Sequence, residues 1–455
     1  MNRGGIRRCV AFGLCALISL TVSGSVSASA APAGFRVLVS RAVVPGVRYI
    51  KLQNPTTPNL VYILRVNLTK PIKFGVGLAA RKKAGFERTS AMAARYNAIA
   101  GINGDFDIWW SRPNRDFARM GRPGHDLAQN GSFKFSSMFD FGANFGVARN
   151  ETARFIGQNT PTINLWVPHV TAPFPITQWN AGTPGTGEVA AFTVDGKTFP
   201  KAAPCSVRLR TDGRPTWSAK RQAITRRYRV AKVVCGRILR PYDGVTLAAR
   251  AASAPAAAMR DFHRGQLLRI GWTMGWPHVW STIGGVPILV SGGQLDIPTN
   301  CTDPFCNRNP RTGIGFTSDG TLLMVVVDGR SPKSRGMTLV QFARLFMRLG
   351  ATDALNLDGG GSATMVVKGR VVNHPSDTTG ERAVTSSALI LPQVLRAMGV
   401  RASGPAGPGP GSAARAALSD PGSTGGMLDS VARGTFGPVR LGAAERRVVA
   451  AFRRG

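Results

Sequence analysis

The chain has 455 residues, 43% of them hydrophobic and 8% aromatic, with 54 glycines, 30 prolines and a formal net charge of +35. That length and apolar content can bury a large core, and the glycine and proline content points to a strand-rich body with many turns. The positive field draws polyanions, but zinc-finger spacing and the aromatic RNA-binding signature are missing. The expected partners are therefore phosphate-bearing wall polymers, anionic glycans or lipid head groups, and not nucleic acid.

In chain order, residues 1–30 carry a basic start (Arg3, Arg7, Arg8), an apolar stretch over 9–22 and the small residues Ala28, Ser29 and Ala30. This reads as a secretory signal cut after Ala30. The apolar stretch is shorter than the roughly 20 residues of a spanning helix, and no later segment is continuously apolar for that length. The mature chain is expected to be secreted, either extracellular or cell-wall associated, and not an integral membrane protein. The signal holds three of the basic residues and no acidic ones, so the remainder carries +32, three fewer than +35.

Residues 31–392 show no compositional break and repeat strand-like runs at 61–66, 74–79, 189–194, 230–235, 267–272, 322–327 and 354–357. The expected fold class is α+β, a single large mixed, strand-rich domain. The run at 322–327 is apolar on both faces, as in a central strand covered on two sides. After it, Thr338 can cap a helix whose apolar stripe is Leu339, Phe342, Phe346 and Leu349. Arg344 and Arg348 suit its C-terminal dipole, and Gly350 ends it. A strand, helix, strand unit over 322–357 thus carries the site. If its strands run parallel, Asp328 and Asp358 share one end of the sheet, where α/β sheets place ligands. Residues 393–455, rich in Gly, Pro, Ala and Arg, read as a disordered tail.

Two of the six cysteines leave with the signal. Among the three pairings of the other four, closeness in sequence favours Cys205 with Cys235 and Cys301 with Cys306. A zinc site would need two close pairs, and only one exists. The histidines at 125, 169, 263, 278 and 374 show no metal-ligand spacing and read as surface or packing residues. There is also no nucleophile elbow and no phosphate-binding P-loop.

Four clusters carry chemistry. Asn356-Leu357-Asp358-Gly359-Gly360-Gly361-Ser362 removes three Cβ atoms from a tight turn, so backbone N–H groups can face an anion beside a carboxylate. Asn103-Gly104-Asp105-Phe106-Asp107 places two carboxylates and an amide at a strand end. Arg311 and Thr312 precede an apolar strand, where a forked guanidinium could clamp phosphate. Asp328-Gly329-Arg330 closes the buried strand.

These segments, with Ile283-Gly284-Gly285-Val286-Pro287, occur in the order seen in phosphodiester glycosidase domains, and residues 31–392 resemble that family. The resemblance implies hydrolysis of a sugar-1-phosphodiester, with water attacking the anomeric carbon and a phosphate monoester leaving. It casts Asp358, Asp328, Asp105 and Arg311 as catalytic, and Asn103, Thr312, Arg330, Asn356, Gly359, Gly360, Gly361 and Ser362 as substrate-binding. No cofactor is expected, although the clustered Asp and Asn side chains are of the kind that take Ca²⁺. The chain departs from the pattern at Asp107, where a second aromatic is usual, over 109–131, and in the loop between Cys301 and Cys306. The rival expectation is a non-catalytic binder of anionic wall polymers.

Overall fold

The largest sheet has eight strands, and the sequence shows why it must lie inside the protein. In Leu322–Val327, Leu322, Met324 and Val326 enter one core while Leu323, Val325 and Val327 enter another. Its neighbour Asn59–Val66 alternates in the same way, with Tyr62 and Leu64 on one side and Val61 and Ile63 on the other. Side chains that are apolar at both parities require cover on both faces.

These observations come from a computed structural model that describes residues 31–79, 85–107, 121–139, 141–182, 184–196 and 204–393. The signal over 1–30, the tail from 394 onward and 109–120 of the departing segment lie outside the described residues.

The strand order is Arg36–Val44, Val47–Asn54, Asn59–Val66, Leu322–Val327, Arg311–Thr317, Ala351–Leu357, Ile288–Ser291 and Gln294–Leu295, with every pairing antiparallel. One face is covered by the helix Leu339–Arg348, which packs Leu339, Phe342, Ala343 and Phe346 into the sheet. Thr338 and Gln341 form a reciprocal capping box at its start, and Gly350 follows its end with a positive φ. The other face meets two five-stranded sheets. One contains Met365–Val367, Ala100–Asn103, Ser386–Pro392 and Ile72–Leu78; the other contains Ala143–Ala148, Val279–Gly285 and Leu127–Gln129.

Residues from 162 to 273 build a closed barrel of seven strands with its own core, including Ile163, Leu165, Tyr228, Val230, Ile270 and Trp272. Cys205 and Cys235 face each other across its long hairpin and are bonded, as are Cys301 and Cys306, the pairing expected from sequence. No described helix is long and apolar enough to cross a membrane.

The α+β expectation is corrected. The described residues hold twenty-seven strands and three α-helices of seven, seven and ten residues, so the fold is mostly β. The reason is that sheets are covered mainly by other sheets, and one sheet closes on itself, where a mixed fold would use helices. Within the strand, helix, strand unit the two strands do run parallel, but Arg311–Thr317 lies between them and is antiparallel to both.

Gly313 in that middle strand gives the helix its seat. A Cβ there would lie 2.9 Å from ring atoms of both Phe342 and Phe346 and 3.0 Å from the Leu355 carbonyl oxygen. Replacing a strand glycine usually stabilises, but Gly313→Ala is expected to destabilise by about 1–3 kcal/mol through overpacking. Urea unfolding of the variant against wild type measures this, and a gain in stability would mean the helix is loosely seated.

Candidate active site

The strand Ala351–Leu357 delivers Asp358 into the glycine turn. Gly360 has φ +59, in the left-handed region. Its neighbours are glycine because of what approaches them. A Cβ on Gly359 would lie 2.6 Å from the Pro310 carbonyl oxygen, and one on Gly361 would run into the Asp377 carboxylate and the Arg382 guanidinium. On Gly360 it would lie 3.1 Å from Nη2 of Arg330. Two guanidinium groups therefore flank the turn.

Arg330 donates to Asn309 Oδ1 at 3.1 Å and to Ser376 Oγ at 3.4 Å, from a backbone at φ +61. A long side chain in that region costs of order 1–3 kcal/mol, and such residues cluster at functional sites. Arg382 makes a two-pronged ion pair with Asp377 at 2.7 and 2.8 Å.

Asn103 ends the strand Ala100–Asn103 and ties the turn down. Its Nδ2 donates to the Asp358 carbonyl at 2.6 Å, and its Oδ1 accepts from Thr312 Oγ1 at 2.8 Å and from the Thr364 N–H at 3.1 Å. In return the Asp358 N–H donates to the Gly104 carbonyl. Asn103 and Thr312, expected to touch substrate, are held inside the protein by these bonds. Asn356 donates to the Val286 carbonyl at 2.7 Å, and its Oδ1 is buried without a partner among the described residues.

Hydrogen-bond capacity separates the carboxylates, since a carboxylate oxygen engaged by protein donors has less to offer a substrate. Asp105 accepts from the Phe106 N–H, the His125 N–H and His125 Nδ1, each at 2.7 Å. Asp328 accepts from Tyr62 Oη at 2.8 Å, Asn373 Nδ2 at 3.0 Å and both the N–H and Nδ1 of His374. Asp107 accepts from the N–H and Oγ1 of Thr385 on Oδ1 only, while Oδ2 is buried with no partner among the described residues. Among the described residues the donors near Asp358 are the Gly359 N–H and the Ser362 hydroxyl, and that hydroxyl completes no hydrogen bond. Asp107 and Asp358 are the pair with oxygens to spare.

Both of that pair hold protons unusually well. Burial, then the charge of Asp358, pushes Asp107 well above the usual carboxylate range. Burial pushes Asp358 up to about 6, opposed by the Ser362 hydroxyl and Arg382 and assisted by Asp105. Asp358 is half-buried, whereas Asp107 is fully enclosed.

Arg311 is buried and turned away from the turn: Nε donates to the Met337 carbonyl, and Nη2 donates to those of Phe305 and Asn307. Burial, with Arg330 nearby, lowers its pKa to about 9. It anchors the Cys301–Cys306 loop, whose Phe305 ring lies 5.9 Å from that of Phe106.

Asp328 and Asp358 stand two strands apart across Arg311–Thr317, roughly 10 Å at ordinary strand spacing. Their settings differ, because Asp328 orients His374, an exposed imidazole, while Asp358 feels the charges of Arg382 and Asp105 and its own charge acts on Asp107. Among the described residues no group of three or more His, Cys, Asp or Glu has metal-holding geometry.

Sequence reading took Asp107 only as the second carboxylate of its cluster and His125 and His374 as surface or packing residues, and assigned no role to Asp377, Arg382 or Thr385. Asp107 carried a signal as the acid replacing an aromatic. The rest sit in no motif and reach the site only through the fold.

The family model for phosphodiester glycosidase matches residues 233–391. The resemblance read from the motifs is borne out there: the segment that holds the glycine turn, Arg330 and Arg382 matches the model of that family. The chain is similar to an uncharacterized SPbeta prophage-derived protein, YomE, of Bacillus subtilis, at 45% identity over 83 residues, 18% of this chain and 13% of that protein. It is likewise similar to the N-acetylglucosamine-1-phosphodiester alpha-N-acetylglucosaminidase of Homo sapiens, at 40% identity over 108 residues and 21% of each chain. Its match thus spans between 13% and 21% of the length of these two relatives. The fold is that of a hypothetical protein from Synechocystis, with a TM-score of 0.57 and 16% identity over 78% of this chain and 63% of that one.

The raised pKa of Asp358 has a consequence for stability. A carboxyl whose folded pKa exceeds its unfolded value contributes fully below about pH 4, and the contribution is lost as pH rises through about 6. Asp358→Asn removes the buried charge, so at pH 8 the variant is expected to exceed wild type by of order 1–2 kcal/mol, solvent access trimming the full effect. The gap should close towards pH 4. Urea unfolding at both pH values checks this, and a variant less stable at pH 8 would mean donors hold the carboxylate.

Proposed function

We propose that this protein is an exported hydrolase that cleaves the sugar–phosphate bond of a sugar-1-phosphodiester in a cell-wall or exopolysaccharide glycan, releasing free sugar and a phosphate monoester. The observation that carries the reading is the Asp358 and Asp107 pair, with unengaged oxygens, beside a glycine turn flanked by Arg330 and Arg382. Export is supported by the secretory signal and by the two disulfides, which reducing compartments do not sustain.

The residues divide the work by charge. Water adds at the anomeric carbon as the bond from that carbon to the phosphate oxygen breaks, and the water's proton passes to the Asp358 carboxylate. Asp107, whose hold on its proton is raised by burial and by the charge of Asp358, supplies a second, protonated carboxyl. The phosphate enters with one negative charge and leaves with two, and Arg330 and Arg382 offset the charge gained. His374, oriented by Asp328, is an exposed imidazole two residues before Ser376, which accepts from Arg330. Asp105 and Asn103 position the turn, and Arg311 the adjoining loop.

The high basic charge favours a second reading, a binder that holds anionic wall polymer without cutting it. The two part in one assay. The mature chain is incubated with N-acetylglucosamine-1-phosphodiester and other sugar-1-phosphodiesters, and free sugar and phosphate monoester are followed. Wild type is expected to release both, with kcat/KM rising as pH passes about 6 and Asp358 ionises. Asp358→Asn should lose about 100-fold or more, and Arg382→Gln about 10–100-fold. Binding of wall polymer without turnover of any diester would establish the binder instead.

A further inference from the structure

The barrel's outer wall carries a row of side chains that the hydrolytic site does not use. Trp166 lies opposite Arg269, Arg269 opposite Arg227, and Arg227 opposite Asp212, across the strands Thr162–Trp166, Leu267–Thr273, Ala223–Cys235 and Cys205–Ser218. Residues paired this way share a face with Cα atoms about 4.5–5.5 Å apart. Their neighbours Leu165, Ile270 and Tyr228 fill the barrel core, so the row faces outward.

Arg221, from the turn of the hairpin, lies over the Trp166 ring at 5.2 Å. The indole in turn lies against Gly271, where a Cβ would be 2.9 Å from it. Three guanidinium groups are thereby gathered on one wall. Among the described residues none of them forms a salt bridge, and Asp212 pairs with Arg229 instead, at 3.4 Å. Like charges this close repel, and the field of Arg221 and Arg227 adds to burial in lowering the pKa of Arg269. Hydrophobic packing inside the barrel holds these strands, while Arg269 donates to Thr225 Oγ1 at 3.4 Å.

We propose that Arg221, Arg227 and Arg269 form a second binding surface, separate from the Asp358 site, that holds phosphate groups of a phosphodiester-bearing glycan polymer. Three forked cations, none of them salt-bridged among the described residues, match successive phosphates along a chain. The choice of a glycan rests on the functional reading above; the anion surface itself does not. A bilayer is disfavoured because, of the large exposed apolar side chains, only Leu267 stands in these rows. Nucleic acid is disfavoured because Trp166 is engaged by Arg221 and is not presented for base stacking.

The test uses the full mature chain carrying Asp358→Asn, so that polymer is bound and not cut, on an immobilised mannan bearing sugar-1-phosphodiesters. Unphosphorylated mannan, single-stranded DNA and phosphatidylglycerol vesicles are the other arms. Replacing Arg221, Arg227 and Arg269 by Gln is expected to weaken binding to the phosphorylated mannan by about tenfold or more. In the active background, the same change should leave hydrolysis of a small sugar-1-phosphodiester unaltered. The control replaces Arg36, Arg41 and Arg48, exposed on another sheet, and should cost less than about twofold. Equal losses in the two triple variants would overturn the proposal, leaving only a diffuse field. So would tighter binding to DNA or vesicles that depends on the same three arginines. If the small diester is not hydrolysed but polymer binding still needs the row, the surface stands and the hydrolase reading falls.

Discussion

The position of the glycine turn depends on one buried amide. Asn103 comes from a five-stranded sheet, Thr312 from the eight-stranded sheet, and Asp358 and Thr364 from the two ends of the turn, and the Asn103 side chain bonds to all three partners. Backbone bonds between Asn103 and Thr364 and between Asp358 and Gly104 close the clasp. An aspartate in its place would put a charge beside the Asp358 carbonyl, and an alanine would leave the Thr312 hydroxyl without its acceptor in the core. Either change would be felt at Asp358, 255 residues away in sequence.

Around this joint the charges are sorted by depth. Asp107 is sealed in, Asp358 sits at the edge of solvent, and Arg330 and Arg382 lie against the turn. Burial makes the inner carboxyls hold protons more tightly, while the burial of Arg382 is outweighed by Asp377, so that its pKa is raised. Burial and the charge of Asp358 together raise the proton affinity of Asp107, which lessens the repulsion between the two carboxyls. The strained backbone at Arg330 belongs to the same design, since Asn309 and Ser376 hold its side chain where the backbone alone would not.

Much of this was legible in the sequence where the pattern was local. The helix announced itself through Thr338, its apolar stripe and Gly350; the central strand did so through six apolar residues, and the cysteines through their spacing. The fold class was not, because strands such as Glu87–Arg88, Arg370–Val371 and Ala383–Val384 are two residues long and exist only through their partners. The same limit applied at the site. The acidic motifs stood out, but which oxygens remain open is decided by Tyr62 on Asp328, His125 on Asp105 and Thr385 on Asp107, separated by 266, 20 and 278 residues. Spacing can locate a carboxylate; it cannot report what the fold has already bonded to it.

The pairing of Ser386–Pro392 with both Ala100–Asn103 and Ile72–Leu78 also imposes an order in time. A ribosome or a translocation channel releases the chain from its N-terminus, so the segment bearing Asp105 and Asp107 emerges long before the strand that supplies Thr385 its place. Until that last strand arrives, Asp107 lacks the donors on its Oδ1 and remains an ordinary solvated acid. The surroundings of Asp107 are thus completed late, because both donors to its Oδ1 come from Thr385, 278 residues further on.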